Sequence, residues 1–336
     1  MTWLVWRQYR WSAAIAAALL AGFAGVLLFT WLQMASRWHT FLTVTGCAAA
    51  GTCGTHGPGG LTIDSQLGHD FFILSVMVPA LLGFLWGAPL VAHEFETGTN
   101  TFAWTQSLTR TRWLIAKAGW VLLASAVWGG AVAALVTWWS GPVNAAFQDQ
   151  FQFNYFDRQG IVPAGYAVFA TALGIAAGAL LRRTLPAIAI TIGGFIGMRL
   201  FVSQNLRAHF MTPVTAYYNP LLVNYTVPGQ AWIFGQGVVD KHGQVYTGNA
   251  PGASGVPLSA VPGPCRALLT PDPSSLTKAQ FHQAYTCLQA SGYRGFITYQ
   301  PGSRFWAFQG IETGIFVAVA AALLAVTFAV VRRRDA

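Results

Sequence analysis

The chain is poor in charge. Only 9% of its 336 residues are Asp, Glu, Lys or Arg, whereas a soluble domain carries roughly a quarter. With 54% hydrophobic residues and 14 tryptophans, and a mean hydropathy of +0.48, it cannot hide its apolar surface in one soluble core. The class that remains is a polytopic membrane protein. No G-x-x-x-x-G-K-[ST] loop occurs, so nothing in the sequence cradles the phosphates of ATP. There is no G-x-S-x-G elbow or other nucleophile–base arrangement. HEFET at 93–97 comes nearest to a zinc-protease motif, but Thr97 stands where a second imidazole is needed. The remaining histidines form no close pair at helical spacing, so no metal site is expected. The excess of base, a formal +9, is not gathered on a soluble face between aromatics, which argues against nucleic acid as a partner.

What is present is apolar length. Six runs stand out, at 12–31, 71–92, 114–139, 164–181, 185–202 and 306–331. Each is about long enough to cross a ~30 Å hydrocarbon layer as a helix. The first is too long for a cleavable signal core and is expected to be retained. MTWLVWRQYRW precedes it, with Trp3, Trp6 and Trp11 between Arg7 and Arg10, the composition of a helix lying in the membrane interface. Arg110, Arg112, Lys117, Arg182, Arg183 and the RRR run at 332–334 fall in short segments on the same side as Arg7 and Arg10. The positive-inside pattern then places both termini in the cytoplasm of a multi-pass plasma-membrane protein.

The chain has four cysteines, Cys47, Cys53, Cys265 and Cys287, and all fall in segments that the charge pattern places outside. Two disulfides between sequence neighbours, Cys47–Cys53 and Cys265–Cys287, are expected, although three connectivities are open. Residues 203–305 form the largest polar part, rich in Pro and Gly. They are read as a small external domain between spans five and six. Its one clear helix, LTKAQFHQAYTCLQASG, carries a Thr277/Gln280 capping box. The expected domains are thus 1–202, with five spans, 203–305 outside, and 306–336, with the sixth span and a basic tail. The fold class is all-α. Pro79 and Pro89 are expected to kink or interrupt the second span. The pairs Gly83/Gly87, Gly174/Gly178 and Gly193/Gly197 have the spacing that lets helices approach closely in lipid.

Against this background the stretch AHEFETGTNTFAWTQSLTRTRWLIAK, from 92 to 117, is conspicuous. It sets two glutamates, two arginines and a lysine between two apolar runs. It reads as a cytoplasmic loop over 93–112: acidic residues as the second run ends, a turn at Gly98, a Thr99 or Thr101 cap, and arginines at the headgroups before the third span.

This stretch resembles the signature of the permease subunits of type-2 ABC exporters, in the form found in high-GC bacteria. The resemblance extends to VPAGYAVFATALGIAAGALLRRTLPA at 162–187 and RFWAFQGIETGIF at 304–316. It implies the membrane half of an ATP-driven exporter, carrying a hydrophobic or amphipathic compound outward by alternating access. It also implies a second permease copy or related subunit, and separate ABC ATPase subunits that bind ATP and Mg, with no cofactor in this chain. Glu94, Glu96, Gly98 and Thr99 match the coupling motif, and Arg182 and Arg183 lie in the second ATPase-facing loop. The external domain is larger than in compact members. A membrane sensor with a ligand-binding external domain is the alternative. An intramembrane lipid enzyme is a third reading, and its obvious ionisable candidates are Arg199 and Glu312. Within the permease reading these two are expected to pair near the outer mouth of the pathway, because an unpaired charge inside a span is costly.

Overall fold

The computed structural model describes residues 14–15, 17–33, 75–98, 110–141, 150–151, 153–218, 231–247, 259–268 and 277–333. Expectations for the N-terminal interfacial helix, for Cys47, Cys53 and Thr99, and for most of the loop before Arg110 lie outside these residues. The chain divides into two units: 1–148, 152–210 and 305–336 form the first, and 149–151 with 211–304 the second.

The first unit is helical. Its helices are α1 (Ala17–Gln33), α2 (Val78–Thr97), α3 (Arg110–Trp139), α4 (Val162–Leu181), α5 (Thr184–Phe201) and, late in the chain, α7 (Phe305–Arg333). Five of them, α2 to α5 and α7, are long and apolar enough to cross a membrane; α1 is apolar but shorter as described.

α4 is the axis of the bundle. It packs against α2, α3, α5 and α7, and 72% of its apolar window is buried. Its sequence fits that position, because small residues alternate with a few large ones that fill the centre. Tyr166 and Phe169 interlock with Phe195 of α5 and Phe316 of α7 at centroid distances of 4.6 to 6.5 Å. On the α2 side the glycines of both helices oppose each other. A Cβ on Gly174 would lie 2.6 Å from the Gly83 carbonyl oxygen and 2.7 Å from the Ala88 nitrogen, and one on Gly178 would lie 2.6 Å from the Ala88 carbonyl. Backbone thus touches backbone. Gly193 and Gly197 differ, since a Cβ at either would meet nothing within 4 Å beyond its own helix turn.

α2 is interrupted. α-Helical turns at Val78–Leu82 and Ala88–Thr97 flank a π-helical turn at Gly83–Gly87. Pro89, which has no N–H for the preceding turn, sits just beyond it. The helix then runs past the expected loop start. His93–Thr97 form its last turn, and Gly98, in the left-handed region at φ 69°, ends it. The expected loop over 93–112 thus gives way to helix at both of its ends, because HEFET continues α2 and α3 begins at Arg110. α1 lies along α3 through Leu27, Val132, Val136 and Trp139, with the Trp139 indole donating to Thr30 Oγ1 at 3.0 Å.

The second unit corrects the all-α reading for residues 211–304. Strands β1 (Val214–Tyr218), β2 (Trp232–Val239), β3 (Val245–Tyr246) and β4 (Arg294–Gln300) form one antiparallel sheet in the order β1-β4-β2-β3. The physical reason lies in VTAYY and RGFITYQ, short runs of β-branched and aromatic residues that suit a pleated surface. Helix α6 (Lys278–Ala290) carries the reciprocal Thr277/Gln280 cap. Its Ala284 and Leu288 bury with Val238, Val261 and Tyr293. Cys265 and Cys287 are joined by a disulfide within this core.

Candidate functional site

Two polar clusters sit at opposite ends of α4, about 30 Å apart by its 20 residues.

The first lies at the α4 C-terminus. Glu94, Phe95 and Glu96, consecutive in the last turn of α2, each contact a different element. Glu94 forms an ion pair with Lys117 of α3, whose ammonium also lies 5.0 Å over the Trp113 ring. The Phe95 ring sits 5.1 Å from the Arg182 guanidinium in the turn between α4 and α5. Glu96 accepts from the Thr184 backbone N–H at 2.8 Å and from its hydroxyl at 2.6 Å. Arg183, the N-cap residue of α5, has no side-chain capping bond of its own, so Glu96 supplies that cap from another helix. Of the residues assigned to coupling, Glu94, Glu96, Arg182 and Gly98 thus gather at one end of the bundle, with Arg183 exposed beside them.

The second cluster is buried. Arg199 near the end of α5 donates to Asp157 Oδ2 at 2.6 Å. Arg207 Nη2 donates to Asp157 Oδ1, and one edge of the same guanidinium holds Glu312 of α7, Nε to Oε2 at 2.8 Å and Nη2 to Oε1 at 2.7 Å. The Tyr166 hydroxyl donates to Glu312 Oε1 at 2.5 Å, and the Arg207 guanidinium covers the Phe156 ring at 4.2 Å. Asp157, Arg207 and Glu312 are each at most 1% exposed and Arg199 is 8% exposed. Within the hydrogen-bonded set two carboxylates face two guanidiniums, the pairing that makes buried charge tolerable, and the guanidinium of Arg158, also buried, adds positive charge beside Asp157 and Arg199.

Arg199 and Glu312, expected to pair directly or through water, instead take different partners, Asp157 and Arg207. Both belong to one network, but Asp157 and Arg207 stand between them. These two residues and Tyr166 escaped sequence reasoning because Asp157 and Arg207 lie outside the apolar runs and look like loop charges. A signal was present, since a carboxylate inside a span requires a cation. The backbone explains how both arginines reach Asp157. After α5 the chain takes a π turn, Val202–Leu206, and then a 3-10 turn, Arg207–His209. In an uninterrupted α-helix residues 199 and 207 would point roughly 80° apart; a π turn absorbs one residue and brings them within roughly 20°.

A neutral clamp adjoins the network. Gln309 of α7 accepts from the N–H groups of Ile161 and Val162 at 3.0 and 2.9 Å and donates to the Phe156 carbonyl at 3.1 Å. It caps the start of α4 from across the bundle. A Cβ at Gly160, φ 68°, would lie 2.6 Å from Gln309 Oε1, so only glycine fits this turn.

A central helix packed through backbone-to-backbone contacts, with a buried charge network at one end and a polar cluster at the other, lies among five helices long and apolar enough to cross a membrane, an architecture consistent with a helical membrane protein. Residues 17–207 match the family described as ABC-2 membrane transporter related. The chain belongs to this family and is a membrane transporter component. No curated protein and no solved structure matches it.

Proposed function

We propose that the chain is one of two membrane-spanning subunits of an ATP-driven exporter in the plasma membrane. Membership of the ABC-2 transporter-related family over residues 17–207 carries this reading, and the missing phosphate loop supports it, because nucleotide is then bound with Mg by a separate ABC ATPase. In this reading α1 completes six spans and the basic residues hold both termini in the cytoplasm. The second subunit is another copy of this chain or a related permease. The end of the bundle carrying Glu94, Glu96, Gly98, Thr99, Arg182 and Arg183 faces the ATPase. The Asp157–Arg199–Arg207–Glu312 network lies toward the outer mouth and joins α5 to α7, so that outward opening repartners its charges. The cargo is hydrophobic or amphipathic.

Affinity purification of the full chain from its native membranes tests the proposal. An ABC ATPase subunit is expected to co-purify in equal amount. Its absence under conditions that keep the chain folded would overturn the reading.

A further inference from the structure

The carboxylates that mark the coupling motif are already engaged inside the chain. Glu94 is 20% exposed and its partner Lys117 12%. Both Glu96 oxygens are taken by Thr184. Successive helical residues point about 100° apart, so Glu94, Phe95 and Glu96 address α3, the α4–α5 turn and α5 in three directions from one helical turn. Glu94 is largely withdrawn from solvent in its ion pair, whereas Glu96 is exposed and is held by its two bonds to Thr184.

We infer that Glu94-Phe95-Glu96 is an internal clasp, and that Lys117, Arg182 and Thr184 are its positioning residues. The end of α2 is locked to α3 and to the α4–α5 hairpin, so displacement of that end moves these helices as one body. The inference rests on the proposed ATPase partnership only for the origin of that displacement; the clasp itself is a property of this chain. It separates two tasks that one motif was expected to perform together. Transmission through the bundle belongs to the glutamates, and docking of a second protein does not require them.

The test uses the full-length chain with Glu94→Lys, Lys117→Glu and the double swap, and with Glu96→Gln, Thr184→Val and their combination. Three quantities are read: the thermal unfolding midpoint of the purified chain, the amount of ATPase subunit that co-purifies, and the ATP turnover of that complex. Glu94→Lys and Lys117→Glu are expected each to lower the midpoint and to cut turnover at least threefold, with co-purification unchanged within twofold. The swap is expected to recover at least half of both losses. Glu96→Gln and Thr184→Val are milder, and their combination is expected to cost no more than the worse single change. A double swap that recovers nothing would overturn the clasp. So would loss of the ATPase from the Glu94 and Glu96 variants alone, with Lys117 and Thr184 variants normal, since that pattern belongs to docking carboxylates. If the wild-type chain retains no ATPase, the functional proposal fails, while the thermal cycles still decide the clasp.

Discussion

Arg207 and Glu312, 105 residues apart in the chain, meet through two parallel hydrogen bonds of 2.7 and 2.8 Å in a fully buried setting. This fork ties the segment following α5 to α7, and Asp157 extends it to Arg199. Removing one member of such a pair strands the other charge, which costs about 3–5 kcal/mol. Glu312→Ala is therefore expected to destabilise the chain by that amount in chemical unfolding of the purified protein. Glu312→Gln, which keeps the shape and can still accept from Arg207, should cost less than half as much.

The network also predicts which charge exchange succeeds. Glu312→Arg combined with Arg207→Glu retains one cation facing one anion and should recover part of the stability lost by either single change. Glu312→Arg combined with Arg199→Glu should recover little, because those two side chains do not face each other. Equal rescue by both double variants would contradict the arrangement.

The glycines divide into two groups. Gly174→Ala places a methyl group against the backbone of Gly83 and Ala88, and helices in contact must part; a cost of about 1–3 kcal/mol is expected for such overpacking. Gly193→Ala and Gly197→Ala meet nothing within 4 Å beyond their own helix turn and should leave the unfolding midpoint unchanged or slightly raised. Midpoints of the three purified variants check this directly.

In the second unit Asp240 closes the turn between β2 and β3. Its Oδ1 accepts from the N–H groups of His242 and Gln244 at 2.8 and 2.9 Å. Loss of hydration pushes its carboxyl up, but these two bonds, the nearby His242 and the Tyr246 hydroxyl together outweigh that and hold it below the ordinary carboxylate range. A depressed folded-state value contributes stability above the unfolded value, near ~3.9, and the contribution is lost as pH falls through the folded value. Hydrogen exchange of the 240–246 amides is expected to accelerate as pH drops below that range, beyond the intrinsic pH trend. Asp240→Asn should remove this extra acceleration.

The Cys265–Cys287 bond spans a sequence separation of 22, for which loop entropy gives about 3 kcal/mol of stabilisation. Reduction, or Cys265→Ser with Cys287→Ser, should lower the stability of the second unit by that amount. Probes confined to the first unit, such as Trp113 fluorescence in a chain with the other tryptophans replaced, should report little change.

The sequence made the bundle legible where hydropathy alone decides it. The observed spans of α3, α4, α5 and α7 begin and end within a few residues of the apolar runs, and two of the three glycine pairs lie where helices touch. Hydropathy misplaced the end of α2, because polarity marks departure from an apolar layer and not the end of a helix; Gly98 marks that end. It also left Glu312 with the wrong partner. Arg199 was the nearest cation within a span, but Arg207 owes its position to a π turn that no periodicity of 3.6 anticipates. The sheet of the second unit was hidden for a related reason, since β1 pairs with β4 across a long intervening stretch and neither strand is long enough to announce itself alone.

The central claim, a permease that an ATPase drives from the Glu94 end of the bundle, is tested most directly by site-specific photocrosslinking in native membranes. A photoreactive residue replaces Trp104 in the segment after Gly98 or, separately, Tyr217 on β1, which is 63% exposed. The account predicts a crosslink from position 104 to an ABC ATPase subunit and none from position 217. An ATPase crosslink from 217 and not from 104, or from neither position in a folded and inserted chain, would contradict it.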